Sequence, residues 1–141
     1  MSVIIRNGDG SNMTAKLLYV EDNPYSVYLM QFYLRRHQDY KLTIATDGQS
    51  GWEQALLQEP DLIMMDINLP DINGWELTRK LKAHPLTKNI PIIAVTSLTM
   101  EDNYLSSQQA GIDLHFSKAT DYRVLFRHVQ TLINNQHNLA G

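Results

Sequence analysis

The chain has 141 residues, of which 43% are hydrophobic and 19% charged, which is enough for one domain with a buried core and is unlike a disordered chain. The formal net charge of −3 excludes nucleic acid as the main partner, because phosphate binding needs a basic face, and the absence of cysteine excludes disulfides, thiolate zinc sites and a catalytic thiol. No apolar run approaches the roughly 20 residues that cross a bilayer, and the amino terminus has no secretion signal. We therefore expect no membrane segment and a cytoplasmic location.

Strands and helices alternate along the chain after a flexible leader, which is predicted for residues 1–15. In chain order, the pattern predicts strand Leu17–Val20, helix Pro24–Arg36, strand Lys41–Ala45, helix Ser50–Gln58, strand Leu62–Met65, helix Trp75–Ala83, strand Pro91–Thr96, helix Met100–Gln109, strand Leu114–Ser117 and a last helix capped by Asp121. This alternation predicts an α/β domain over residues 16–135, with a five-stranded parallel sheet covered by helices on both faces. Residues 136–141 are predicted to form a polar tail.

The fourth helix is predicted to be the least stable of the five. Tyr104 and Leu105 are the only apolar residues available between residues 101 and 109 to anchor it, and the segment contains poor helix formers. In the loop before the third helix, Asp71 and Asn73 are expected to act only as turn residues.

Acidic residues follow two of the predicted strands at the point where each strand ends. Asp66 ends the apolar run of the third strand, and Glu21 and Asp22 follow the first strand. In open parallel sheets, ligands bind beyond the carboxyl ends of the strands, so these three carboxylates are expected to form one site.

Three carboxylates held together repel one another, at a cost of about 1 to 4 kcal/mol per pair at 4 Å. A hard divalent cation relieves this cost, and Mg²⁺ prefers oxygen ligands and pairs readily with phosphate oxygens. Asp22 and Asp66 are the best candidates for direct ligands. A carboxylate placed beside such an ion can attack phosphorus and form an aspartyl phosphate.

From residue 16 to about residue 135, the chain resembles the receiver domain of bacterial two-component response regulators. The resemblance rests on four features in order: the Glu21-Asp22 pair, Asp66 followed by Leu69-Pro70 and Gly74, Thr96-Ser97, and Lys118, each at the carboxyl end of a strand. It implies a flavodoxin-like sheet with strand order 2-1-3-4-5. It also implies a stand-alone signalling module that does not turn over outside substrates.

The resemblance also assigns roles within the site. It implies that Asp66 accepts the phosphoryl group, that Lys118 and Thr96 contact the phosphoryl oxygens, and that Thr96 takes part in the switch. The implied metal ligands are Asp22, Asp66, the backbone carbonyl of Asn68 and, through water, Glu21. The implied cofactor is Mg²⁺, with Mn²⁺ as an alternative. The implied partners are a histidine kinase or histidine phosphotransfer protein, and a downstream protein that docks on the face formed by helix four, strand five and helix five. We expect a monomer or weak dimer.

Three positions depart from the common receiver pattern. Ala119 follows Lys118 where most receivers have proline, often after a cis bond, which leaves the isomer of this bond open. Leu98 lies where hydrophilic residues are frequent and is expected to slow attack by water on the phosphoryl group. His115 occupies the position of the switch aromatic residue, and it is either a surface imidazole or a smaller switch that titrates near pH 6.5.

Other functions on a similar topology are less well supported. A phosphohydrolase of the haloacid dehalogenase type needs a second acid two residues after its nucleophile, where this chain has Asn68. A flavin-binding module needs a phosphate loop rich in hydroxyl groups and glycine after the first strand, whereas the segment 21–24 is acidic. A receiver that cannot be phosphorylated is disfavoured because all the chemical positions are filled.

Overall fold

The computed structural model describes residues 14–97 and 100–140, and within them it describes the side chains of residues 14–97 and 104–136. The elements are β1 (Ala15–Val20), α1 (Pro24–Leu34), β2 (Tyr40–Ala45), α2 (Gly48–Gln58), β3 (Leu62–Met65), α3 (Gly74–Ala83), β4 (Ile92–Thr96), α4 (Met100–Ala110), β5 (Leu114–Ser117) and α5 (Tyr122–Ala140). The five strands are parallel and lie in the order β2-β1-β3-β4-β5. The predicted fold is confirmed.

Two apolar layers, one on each face of the sheet, form the core. Leu62 and Met64 of β3 pack in the layer beneath α1 and α5, whereas Ile63 and Met65 pack in the layer beneath α2 and α3. A strand that is buried on both faces reads as a continuous apolar run, which is why β3 was recognisable in the sequence. Asp66, the next residue, lies at the carboxyl-terminal edge of the sheet, where the apolar layers end.

Polar side chains from two loops begin α2 and α3. Asp47 caps α2 by accepting the Ser50 N–H at 2.7 Å. Asp71 accepts the backbone N–H groups of Gly48 and Gln49 at 2.7 and 2.9 Å, so the free donors of the first turn of α2 are satisfied. Burial alone would raise the pKa of Asp71, but these backbone donors lower it.

The expectation that Asp71 and Asn73 only form a turn is wrong. Asn73 caps α3 by accepting the Trp75 N–H at 2.8 Å, and Asp71 joins the loop before α3 to the start of α2. Helix α2 therefore begins two residues earlier than predicted, at Gly48.

Several predicted boundaries differ from the observed ones. Ala15, assigned to the leader, is the first residue of β1 and is buried, because it pairs with Tyr40 of β2. Helix α1 ends at Leu34 rather than Arg36. Helix α5 continues to Ala140, so residues 136–140 are helical rather than a tail beyond the helix. The rest of the predicted leader, residues 1–13, lies outside the described residues.

Helix α4 is attached to the domain through small and polar side chains. Tyr104 and Leu105, its predicted apolar anchors, are 54% and 64% exposed, whereas Ser107 and Ala110 are buried. The Trp75 indole N–H at the start of α3 donates a 2.9 Å hydrogen bond to the Ser107 hydroxyl. The predicted anchors are wrong, and among the described residues the Trp75–Ser107 hydrogen bond and buried Ala110 attach the helix instead.

We expect the amides of α4 to exchange with deuterium faster than those of α5, because α4 buries little apolar surface. A Trp75→Phe variant should accelerate exchange in α4 about fivefold, since a lost hydrogen bond is worth about 1 kcal/mol. Trp52→Phe is the matched control, because Trp52 packs against His84 and Lys80 instead. Protection of α4 equal to that of α5 would contradict the prediction.

Candidate functional site

Three carboxylates meet at the carboxyl end of the sheet, as the sequence predicted. One oxygen each from Glu21, Asp22 and Asp66 lie within 4.8 Å of one another. Glu21 is 0% exposed and Asp66 is 5% exposed, whereas Asp22 is open to solvent. The cluster has the oxygen donors and the negative charge that suit a hard divalent cation.

Lys118 lies between the two buried carboxylates. Its ammonium nitrogen pairs with Glu21 Oε1 and lies 3.1 Å from Asp66 Oδ2. Burial alone would lower the pKa of Lys118, but its hydrogen bonds to Glu21 and Asp66 raise it. For Glu21, burial raises the pKa, Lys118 opposes that rise and Asp66 adds to it. The lysine therefore partly compensates two buried negative charges.

The second oxygen of Glu21 is held by the backbone. Glu21 Oε2 accepts the Asp22 N–H at 3.1 Å and the Asn23 N–H at 3.5 Å. Together with Lys118 on Oε1, these donors fix the orientation of the carboxylate.

The loop after β3 is folded tightly around Asp66. The Asn68 N–H donates to Asp66 Oδ1 at 3.1 Å, and the Gly74 N–H donates to the Ile67 carbonyl at 2.7 Å. A Cβ atom at Gly74 would lie 2.7 Å from Ile67 Cα and 2.8 Å from the Asp66 carbonyl oxygen, so only glycine fits there. This close approach fixes the backbone that carries Asp66.

Thr96 and Lys118 are brought to the same edge by neighbouring strands. Thr96 is buried at the end of β4, in register with Ser117 of β5. The Lys118 N–H donates to the Thr96 carbonyl at 3.0 Å. Leu98, to which we assigned an effect on water, lies outside the described residues.

The segment after Lys118 forms without the family's proline. The described residues contain no cis peptide bond, so Lys118 and Ala119 are joined in the trans form. The Ala119 N–H donates to the Ser117 hydroxyl at 3.1 Å, and the Thr120 N–H donates to the Ser117 carbonyl at 3.0 Å. Ser117 therefore supports the turn in the absence of the proline.

His115 is buried in β5, so the interpretation as a surface imidazole is wrong. It lines a cavity of about 250 Å³ between α4 and β5, together with Tyr104, Ser107 and Asp113 among others. Burial lowers the pKa of His115 below its ordinary value of 6.5. The neutral ring is therefore favoured in this environment.

One side chain close to the site was missed by the sequence analysis. Tyr19 of β1, two residues before Glu21, is completely buried, and burial, followed by the charge of Glu21, raises its pKa. The alternation of side chains along a strand places residues 19 and 21 on one face, and that signal was available.

The sequence model of the response regulator receiver domain matches residues 17–130. The chain belongs to this family. Receiver domains act in phosphorelay signalling between histidine kinases and downstream targets, and they are signalling domains rather than typical enzymes. Among the described residues, no helix combines the length and hydropathy needed to span a membrane.

Two relatives illustrate the range of proteins that contain this domain. The response regulator PleD of Caulobacter vibrioides is 30% identical over 120 residues, which cover 85% of this chain but 26% of PleD. The response regulator Rcp1 of Synechocystis is 31% identical over 132 residues, which cover 86% of this chain and 88% of Rcp1. The chain thus spans about a quarter of one relative and nearly all of the other.

Solved structures of receiver domains share the fold. The receiver domain of the sensor histidine kinase PA1611 from Pseudomonas aeruginosa, with a magnesium ion in its active-site cleft, gives a TM-score of 0.78 at 31% identity, covering 85% of this chain and 98% of that one. The Mn²⁺-bound form of Rcp1 gives a TM-score of 0.67 at 30% identity, covering 84% of this chain and 91% of that one.

Proposed function

We propose that this receiver domain accepts a phosphoryl group on Asp66 and changes the face formed by α4, β5 and α5 in response. The observation that carries the proposal is the position of Asp66, which is almost fully buried, 3.1 Å from the ammonium group of Lys118 and clustered with Glu21 and Asp22. A carboxylate in this setting is held as a nucleophile and faces a cation that can neutralise an incoming phosphate.

We propose Mg²⁺ as the cofactor, with Mn²⁺ able to replace it. Asp22, Asp66 and the backbone carbonyl of Asn68 would hold the ion, and Glu21 would contact it through water. The acidic cluster supports this assignment, as do relatives solved with Mg²⁺ and Mn²⁺. When bound, the ion neutralises charge on the carboxylates and on the phosphoryl oxygens.

The transfer itself needs positioning and charge compensation from the chain. An Asp66 carboxylate oxygen attacks the phosphorus of a phosphohistidine, so an O–P bond forms while the N–P bond breaks and the imidazole leaves. Lys118 compensates the negative charge of the phosphoryl oxygens, and the Thr96 hydroxyl donates a hydrogen bond to them. The domain thereby catalyses its own phosphorylation and, with water as nucleophile, its dephosphorylation.

Incubation with acetyl phosphate and Mg²⁺ tests this function directly. Intact mass should increase by one phosphoryl group, the group should be labile to base, and peptide mapping after borohydride reduction should place it on Asp66. No uptake by the chain, or uptake on another residue, would contradict the proposal.

Metal binding should require Asp22. An Asp22→Ala variant should bind Mg²⁺ at least about tenfold more weakly, because it loses one of two direct carboxylate ligands. Titration followed by the fluorescence of Trp75, which begins α3 directly after the acceptor loop, measures the change. Asp47→Ala, which removes an acid that caps α2 instead, is the control. Unchanged affinity in Asp22→Ala would exclude this site.

His115 is proposed to act as the switch residue together with Thr96. Phosphorylation should draw Thr96 towards the new charge and change the cavity in which the His115 ring lies. Because burial lowers the pKa of His115, the stability that its neutral form contributes is present above pH 6.5 and is lost as pH falls. The unfolding free energy of wild type should therefore fall relative to that of His115→Phe when the pH is lowered from 7.5 to 5.5.

Nuclear magnetic resonance of the His115 ring, with and without beryllofluoride as a phosphoryl mimic, tests the switch role separately from stability. We expect an apparent pKa below 6.5 and ring shifts that respond to the mimic. If neither the ring shifts nor the apparent pKa changes when the mimic is added, His115 is excluded from the switch.

The docking partners are proposed from the family role. A histidine kinase or a phosphotransfer protein would supply the phosphoryl group, and a downstream protein would bind beside the exposed side chains of Tyr104 and Leu105 on α4. The domain is proposed to be a monomer or weak dimer.

A further inference from the structure

Tyr19 places a buried hydroxyl group on the face of the sheet that also carries Glu21. It precedes Glu21 by two residues in β1, so the two side chains extend on the same face of the sheet. The Tyr19 side chain is 0% exposed. Burial raises the pKa of the phenol most, and the charges of Glu21 and Asp66 raise it further.

The Tyr19 hydroxyl is not satisfied in this arrangement. No described residue bonds to the hydroxyl, and Oε1 of Glu21 is likewise buried without a hydrogen-bond partner of good geometry. Buried polar groups in folded proteins are nearly always bonded, and leaving one unbonded is costly. The exception suggests that its partner becomes available in another state of the site.

Glu21 is the residue whose bonding would change. Its Oε2 atom keeps the backbone N–H groups of Asp22 and Asn23, but its Oε1 atom depends on Lys118, which also contacts Asp66. A phosphoryl group on Asp66 brings about −1.5 to −2 charges and attracts the ammonium group of Lys118. Oε1, completely buried, would then lose its charged donor.

We propose that Tyr19 is a positioning residue that donates a hydrogen bond to Glu21 Oε1 when Lys118 moves to the phosphoryl group. The inference rests on the proposed function. It assigns the phenol the task of keeping Glu21 oriented towards the metal after the lysine has left. The buried hydroxyl and the buried carboxylate oxygen then satisfy each other, so the shift of Lys118 leaves neither group without a partner.

A Tyr19→Phe variant removes the hydroxyl and keeps the ring. With Mg²⁺ present, its affinity for beryllofluoride should fall about tenfold, because a hydrogen bond to a charged group is worth at least about 1.4 kcal/mol. Its melting temperature without Mg²⁺ should match or exceed that of wild type, because the lost hydroxyl was unsatisfied. Tyr40→Phe is the matched control, since that phenol lies at the start of β2, at the opposite end of the sheet.

A second measurement needs no substitution near the site. In wild type labelled with ¹³C at tyrosine Cζ, the Tyr19 resonance should move on addition of beryllofluoride, because this carbon responds to hydrogen bonding of the hydroxyl. Beryllofluoride affinity in Tyr19→Phe equal to wild type, or a Tyr19 resonance that does not move, would overturn the inference and indicate that water replaces Lys118. If wild type itself binds no beryllofluoride and takes up no phosphoryl group, the proposed function fails, and the inference fails with it.

Discussion

An Asp66→Asn variant is expected to take up no phosphoryl group from acetyl phosphate and to be more stable than wild type when Mg²⁺ is absent. The amide keeps the shape of the side chain but is not a nucleophile. The substitution also removes one of the two buried charges that compete for Lys118. The charge of Asp66 is one of the causes that raise the pKa of Glu21, so this effect is removed as well. Carboxylate repulsion of about 1 to 4 kcal/mol is relieved, partly offset by the lost contact with Lys118.

A net gain of about 1 kcal/mol would raise the melting temperature of a chain this size by roughly 4 °C. Addition of Mg²⁺ should stabilise wild type by mass action and the variant much less. Asp61→Asn serves as the control, because Asp61 accepts the Lys16 N–H at 2.7 Å at the other end of the sheet. A base-labile phosphate formed on Asp66→Asn at the wild-type rate would show that another residue is the acceptor.

The sheet and the cluster of site residues could be predicted from the sequence for one physical reason. Strands buried on both faces leave continuous apolar runs, and β3 was predicted to the residue for this reason. The carboxyl ends of parallel strands share one edge, so residues that end different strands must meet there. The positions of the strand ends were therefore sufficient to predict that Glu21, Asp66 and Lys118 meet, without any knowledge of the loops.

Features that depend on which way a side chain points could not be predicted in the same way. Helix α1 is apolar on all sides, and the side chains of Tyr25, Tyr28 and Phe32 turn out to be exposed. In α4, the apolar pair faces outward and Ser107 faces inward, because Trp75 offers that hydroxyl a donor. Such pairings join residues far apart in the chain and leave no local signal.

Replacement of Lys118 by Met should cost about 3 to 5 kcal/mol of stability at neutral pH without Mg²⁺, since it leaves buried carboxylates without their cation. The side chain is similar in length, so the loss reports the charge rather than a cavity. Lys82→Met is the matched control. Lys82 is as exposed as Lys118, at 23%, but its partner Asp113, 3.2 Å away, is 38% exposed, whereas Glu21 and Asp66 are buried. A pair with an exposed acid of this kind is worth about 0 to 1 kcal/mol.

The pH dependence of the Lys118→Met variant identifies the group responsible. Lys118 opposes the rise that burial causes in the pKa of Glu21, so its removal should raise that pKa further above the ordinary value of 4.5. The folded variant then binds a proton that the unfolded chain releases, and its stability falls as pH rises from 4.5 through the raised pKa. Urea unfolding at pH 5.5 and 7.5 should therefore show a smaller deficit at the lower pH, and a Glu21→Gln substitution in the same variant should remove most of that pH dependence. Equal losses in the Lys118→Met and Lys82→Met variants would mean that the ammonium group does not hold the acidic cluster together, and Asp66 would then have to be positioned by its loop alone.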